Sequence, residues 1–261
     1  MLIEMVGSSP LLAGVGGFFR GGPERIAADL VALFLVVVGP VWDYVESRPL
    51  RAAPSRALRM RYYVRTIVWL WVATGAAVWA VGFSSLMTLR GIGIQVEWLK
   101  RYGWVWWVLA VLLAAIVMVQ LVLPVLQVSM KYRDREFLEP KQLVPLRFFL
   151  PATPNERGWF VVLCVTAGIC EEVLFRGFLM RYLYTSPLQL GLLPAIAVAA
   201  MVFGTHHFYQ GVKGFVSTSI GGFIFAGILL VTGSLWAGIV YHAAADLSLL
   251  LYWRPRPEVK G

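Results

Sequence analysis

Four stretches of this chain carry no charged residue: Thr66–Leu89, Tyr102–Met130, Tyr182–Val212 and Gly214–Ala245. Each exceeds the roughly 18 apolar residues that mark a transmembrane helix. The expected fold class is therefore all-α, a polytopic transmembrane helix bundle of about seven spans. Composition agrees. Of the 261 residues 59% are hydrophobic and 14% charged, against roughly 25% charged in an average soluble domain. Eleven Trp and ten Tyr suit aromatic belts at the two membrane interfaces.

Residues 1–25 are Gly-rich, with Glu4 as the first charge and no AxA-like site, so no cleaved signal peptide is expected. The first apolar segment is Ile26–Trp42, but its charge-free part is only Leu30–Trp42, between Asp29 and Asp43. As a helix that part measures about 20 Å, short of the ~30 Å hydrocarbon core. It is expected to span with thinning or to lie partly at the interface. A basic loop, Asp43–Arg65, leads to a span at Tyr63–Met87. A polar link, Arg90–Arg101, leads to a span at Gly103–Leu123 that ends at Pro124. The polar linker Val125–Arg157 contains Phe148, Phe149, Pro151 and Pro154, which suggests a helix on the membrane surface.

Gly158–Tyr184, Leu190–Tyr209, Gly214–Val231 and Ser234–Trp253 complete the bundle. Short turns make the last helices antiparallel neighbours, and glycines such as Gly204, Gly222 and Gly238 permit close backbone approach. The chain divides into N-terminal spans with basic loops (1–157), a helical core (158–253) and a basic tail (254–261), without an internal repeat or a soluble domain.

The net charge of +9 is read as the positive-inside bias rather than as nucleic-acid binding. With seven spans, sixteen Lys and Arg fall on one side and five on the other. The richer side, which includes the C-terminus, is expected to be cytoplasmic. Cys164 and Cys170 lie in an apolar run with no CxxC and read as small core residues.

Against this apolar background, the second half holds Glu171, Glu172, Arg176, His206, His207, His242 and Asp246 at membrane depth. Such residues are expensive in lipid and mark function by default. Glu172 and Arg176 are four apart with the acid first, the favourable order for a pair. That pair reads first as structural. Glu171 lies about 100° further round the helix, so it cannot share the arginine equally, and an unpaired carboxyl there suits general acid or base work. His242 and Asp246 share a face, where Asp246 could orient the imidazole, hold a water or ligate a metal. His207 stands one turn after Phe203, a packing aromatic that shapes the pocket wall. His206 points elsewhere and is the weaker candidate.

EExxxR at Glu171–Arg176, FxxxH at Phe203–His207 and HxxxD at His242–Asp246 occur in that order on successive apolar segments. Together with FGTHHFYQG and GSLWAGIVYHAAAD they resemble the CPBP family, the type II CAAX prenyl endopeptidases and bacteriocin-processing enzymes also called the Abi family. The resemblance covers about residues 155–253. It implies intramembrane proteolysis of a membrane-associated peptide or protein, with the active site between the C-terminal helices. Glu171 and His207 would activate the attacking water, His242 and Asp246 would stabilise the oxyanion, and Glu172 and Arg176 would hold the site or a substrate group. An aspartate donates no hydrogen bond unless protonated, so Asp246 could instead orient His242 or bind metal.

The family is often labelled metalloprotease, and Glu171, His207, His242 and Asp246 could form a site for a divalent ion such as zinc. Direct activation of water by the glutamate is the other expectation, and the one favoured. A transporter or proton relay, and a non-catalytic membrane scaffold, are the rival readings. The compact chain leans toward a bacterial plasma membrane.

Overall fold

The computed structural model describes residues 22–88, 103–133, 146–185 and 189–253. Among these, seven long helices form one bundle, with no strand. We number them α1 (Pro23–Ala52), α2 (Arg56–Val81), α3 (Gly103–Arg133), α4 (Pro154–Thr185), α5 (Leu192–Thr205), α6 (Gly211–Thr232) and α7 (Leu235–Tyr252). Four are long and apolar enough to cross a membrane: α1, α2, α4 and α6 with its preceding turn. The apolar parts of α3, α5 and α7 are shorter. This is an all-α, integral membrane protein.

Several boundaries depart from the sequence expectation. The first apolar segment is no truncated span, because α1 runs for 30 residues, about 45 Å. Its flanking acids find partners on other helices: Tyr182 Oη donates to Asp29 at 2.7 Å, and Asp43 lies 2.7 Å from His206 Nδ1. The basic loop expected at Asp43–Arg65 is mostly helix, with only three residues between α1 and α2. Helix α3 passes through Pro124 to Arg133. The polar link at 90–101 and the basic tail lie outside the described residues, as do residues 134–145 of the linker. Residues 146–153 form turns rather than a surface helix, and Leu150 is fully buried against α1, α2 and α4.

Local chemistry sets the helix ends that matter. Helix α4 starts on a capping box: Thr153 accepts from the Glu156 backbone N–H, and Glu156 accepts from that of Thr153. Glu156 also takes the Arg59 guanidinium of α2 at 2.8 Å. Trp253, just past α7, donates to the Pro151 carbonyl and accepts from Arg157. Glycine brings backbones together where expected on α6, where a Cβ on Gly222 would lie 2.8 Å from Ala200 Cα. The same holds between α4 and α7, where a Cβ on Gly168 would lie 2.8 Å from the Ala243 nitrogen. The main core joins apolar side chains of α1, α2, α4, α5, α6 and α7 around Phe175, Phe178 and Leu179.

Candidate active site

The α-helical winding of α4 changes to π-helical winding over Glu172–Leu179. Such insertions recur at functional sites because they re-aim side chains. At the start of this one, Glu171 and Glu172 both approach His242 of α7. His242 stands between them, with Nδ1 at 3.0 Å from Glu172 Oε1 and Nε2 at 3.6 Å from Glu171 Oε2. Asp246, one turn further along α7, has Oδ2 at 3.8 Å from Nε2. Glu172, not Asp246, therefore holds the ring. A carboxylate only accepts, so Nδ1 is the donor and the imidazole plane is fixed. Glu171 and Asp246 lie beyond direct hydrogen-bond range of Nε2, at a spacing that one small polar group can bridge.

Arg176 is 2% exposed, with Nη1 at 3.1 Å from Glu172 Oε1. Its guanidinium lies over two rings, 4.3 Å from the Phe203 centroid and 4.8 Å from that of Phe225. Phe225 also stacks on His242 at 4.6 Å. The Glu172–Arg176 pair and its aromatic clamp thus form a rigid floor behind His242. Neither residue lines the cavity described next.

That cavity, of about 300 Å³, is bordered by Glu171, Phe203, His207, His242 and Asp246, and also by Tyr62 of α2 and Tyr209. His207 Nδ1 lies 3.0 Å from the Phe203 carbonyl. The carbonyl only accepts, so in the neutral ring Nε2 is free to take a proton. Tyr209 stacks on His207 at 5.9 Å between centroids. The sequence reading missed Tyr62, Tyr209 and Phe225. Tyr209 sits within the HHFYQG stretch, whereas nothing local to Phe225 or Tyr62 distinguishes them from packing aromatics.

His206 is directed away, toward α1. It bonds Asp43 at Nδ1 and the Leu35 carbonyl at Nε2, at 2.7 and 2.8 Å. That carbonyl is available for a covalent reason. Helix α1 is π-wound at Phe34–Val38, and the Gly39 N–H bonds Phe34. In this register the donor for Leu35 would be the nitrogen of Pro40, which has no hydrogen. His206 takes its place. A Cβ on Gly39 would overlap the imidazole, so only glycine leaves room for it.

Among the described residues, no group of three or more His, Cys, Asp or Glu side chains is placed to share a metal ion. Glu171, His207, His242 and Asp246 as arranged form no such group. Their geometry fits proton transfer and hydrogen bonding around one cavity.

The fold and the cavity define the class: a helical membrane protein with carboxyl and imidazole groups gathered around one cavity. The comparison with known families is more specific. Residues 153–248 match the family described as type II CAAX prenyl endopeptidase Rce1-like. The match runs from the Thr153 cap of α4 past Asp246 on α7, so it contains all three motifs. This part of the chain is a domain of that protease family, and the CPBP resemblance holds there. No curated protein and no solved structure matches the chain.

Proposed function

We propose that the protein is an intramembrane endopeptidase that hydrolyses a peptide bond of a membrane-associated peptide or protein. One observation carries the reading: Glu171 of α4, His207 of the turn after α5, and His242 and Asp246 of α7 border a single cavity of about 300 Å³. That is the size of a small-molecule site. A water held against Glu171 gives it a proton, with His207 Nε2 as the second acceptor. The resulting hydroxide adds to the scissile carbonyl carbon. The doubly protonated His242 ring, held through Nδ1 by Glu172, offers its Nε2–H to the oxyanion. Asp246 borders the same atom and, when protonated, adds a second donor. Collapse of the intermediate breaks the C–N bond, and the proton on Glu171 passes to the leaving amine. Protein side chains relay the protons of the water, without a metal. The basic helix ends would face the cytoplasm, and a bacterial plasma membrane is the expected setting.

The test compares membrane peptidomes of cells expressing wild type and Glu171→Gln at matched folded levels. Fragments found only with wild type support hydrolysis and reveal the substrate and cut position together. Equal peptidomes, combined with Glu171-dependent flux into liposomes, would favour the proton-relay reading instead. A phenotype that survives the substitution would favour the scaffold.

A further inference from the structure

Two further cavities lie beside the one that holds the candidate machinery. A middle cavity of about 80 Å³ lies between α1, α2, α4 and α5, bordered by Asp43, Thr66, Ala73, Phe175 and His206. It also touches Glu171 and His207, from the side opposite α7. An outer cavity of about 320 Å³ lies at the α1–α2 end and carries Glu46, Arg61 and Arg65. The three share walls pairwise. Trp42 and Glu46 border the outer and middle cavities, Thr66 and Glu171 border the middle and inner ones, and Tyr62 borders all three.

We infer that these cavities form a water route between α1 and α2, which supplies the hydrolytic water to Glu171 and His207 from behind the bound peptide. The inference rests on the protease reading for its role but not for its existence. A peptide seated in the inner cavity covers Glu171 from that side and expels the water there. The attacking water must then arrive from elsewhere, and the middle cavity reaches the same two side chains. A water needs roughly 10–15 Å³ of such space and two to four polar partners. The middle cavity exceeds that several-fold, and Asp43, Glu46, Thr66 and His206 line it with polar groups. The charged outer cavity draws water to its mouth. Tyr62, 6% exposed, stands where the three spaces meet.

Two measurements test the route on the full-length protein in lipid nanodiscs. The first needs no substrate. X-ray radiolysis generates hydroxyl radicals from nearby water, and Phe175 and His206 border the middle cavity but neither of the others. Oxidation of both, alongside Met60 near the basic end of α2, is the expected result. Oxidised Met60 with Phe175 and His206 unmodified overturns the route. The second measurement fills the passage. Ala73 borders only the middle cavity, so Ala73→Leu narrows it without touching the peptide side. With the peptide substrate revealed by the peptidome comparison, kcat should fall about tenfold or more while KM stays within about twofold. Leu70→Phe enters the same space and replaces the first variant if that one misfolds. An unchanged kcat, or a rise in KM alone, overturns the supply role while leaving the protease reading intact. Absence of any Glu171-dependent cleavage removes the protease reading, and radiolysis then still decides whether the passage holds water.

Discussion

The Nδ1 atom of His242 lies 3.0 Å from Oε1 of Glu172, and both residues are buried. The carboxylate that fixes the imidazole thus comes from a neighbouring helix, not from Asp246 on its own. Glu172→Gln keeps an acceptor at this position but removes the negative charge that faces Arg176 and the ring. The variant should fold and lose cleavage by on the order of a hundredfold. Turnover measured at matched folded protein checks this. Glu172→Ala removes the acceptor as well, and should also lower the folded yield.

Arg176→Ala leaves Glu172 buried without its cation and opens the space between Phe203 and Phe225. Removing one partner of a buried pair typically costs ~3–5 kcal/mol. A lower melting temperature in detergent and a smaller folded fraction are the expected outcomes. Arg176→Lys should recover only part of the loss, because an ammonium cannot lie flat between two rings.

The adjacent histidines should separate cleanly. His207→Ala should abolish cleavage while the melting temperature stays close to wild type. His206→Ala should instead destabilise, because it strands the Leu35 carbonyl and removes the partner of Asp43. An unsatisfied buried group costs ~1–3 kcal/mol. Thermal unfolding and cleavage assays on the two variants check the division, and an active His207→Ala protein would contradict the proposed mechanism.

Chelation tests the chemistry proposed for Glu171. If the side chains alone move the protons, dialysis against a chelator leaves turnover within about twofold. A metal-dependent site would instead lose activity and regain it on adding the ion.

The cap of α4 offers a test of stability apart from chemistry. Glu156 is fully buried, accepts from the Ala152 and Thr153 N–H groups, and pairs with Arg59. Glu156→Ala should lower stability by at least the ~1 kcal/mol of a lost cap, while the protein that remains folded keeps its cleavage rate. Thermal unfolding and turnover per folded molecule check this.

The helical membrane bundle and the order of the second-half helices were legible because uncharged runs and spaced motifs are local signals. The pairing of Arg176 with Glu172 followed from their four-residue spacing. The partnership of both glutamates with His242 did not. It depends on how α4 packs against α7, 70 residues further along the chain, which no local pattern encodes. The reach of α1 was underestimated for a related reason. Asp29 and Asp43 looked like ends of an apolar run, whereas each is matched by a group more than 150 residues away. An acid at the edge of a short run, together with a second histidine beside His207, was the available hint that such partners exist.

The proline-vacated carbonyl of Leu35 also bears on how this protein can be dissected. The stretch that matches the family model starts at residue 153, which makes it tempting as a minimal fragment. Cut there, the fragment would carry His206 with neither acceptor and would lose Tyr62 from the wall of its cavity. The smallest autonomous unit is therefore larger than the stretch that carries the family motifs. Truncation, domain grafting or co-expression of split halves should keep α1 and α2, because the chemistry borrowed from a distant part of the chain cannot be supplied by detergent or lipid.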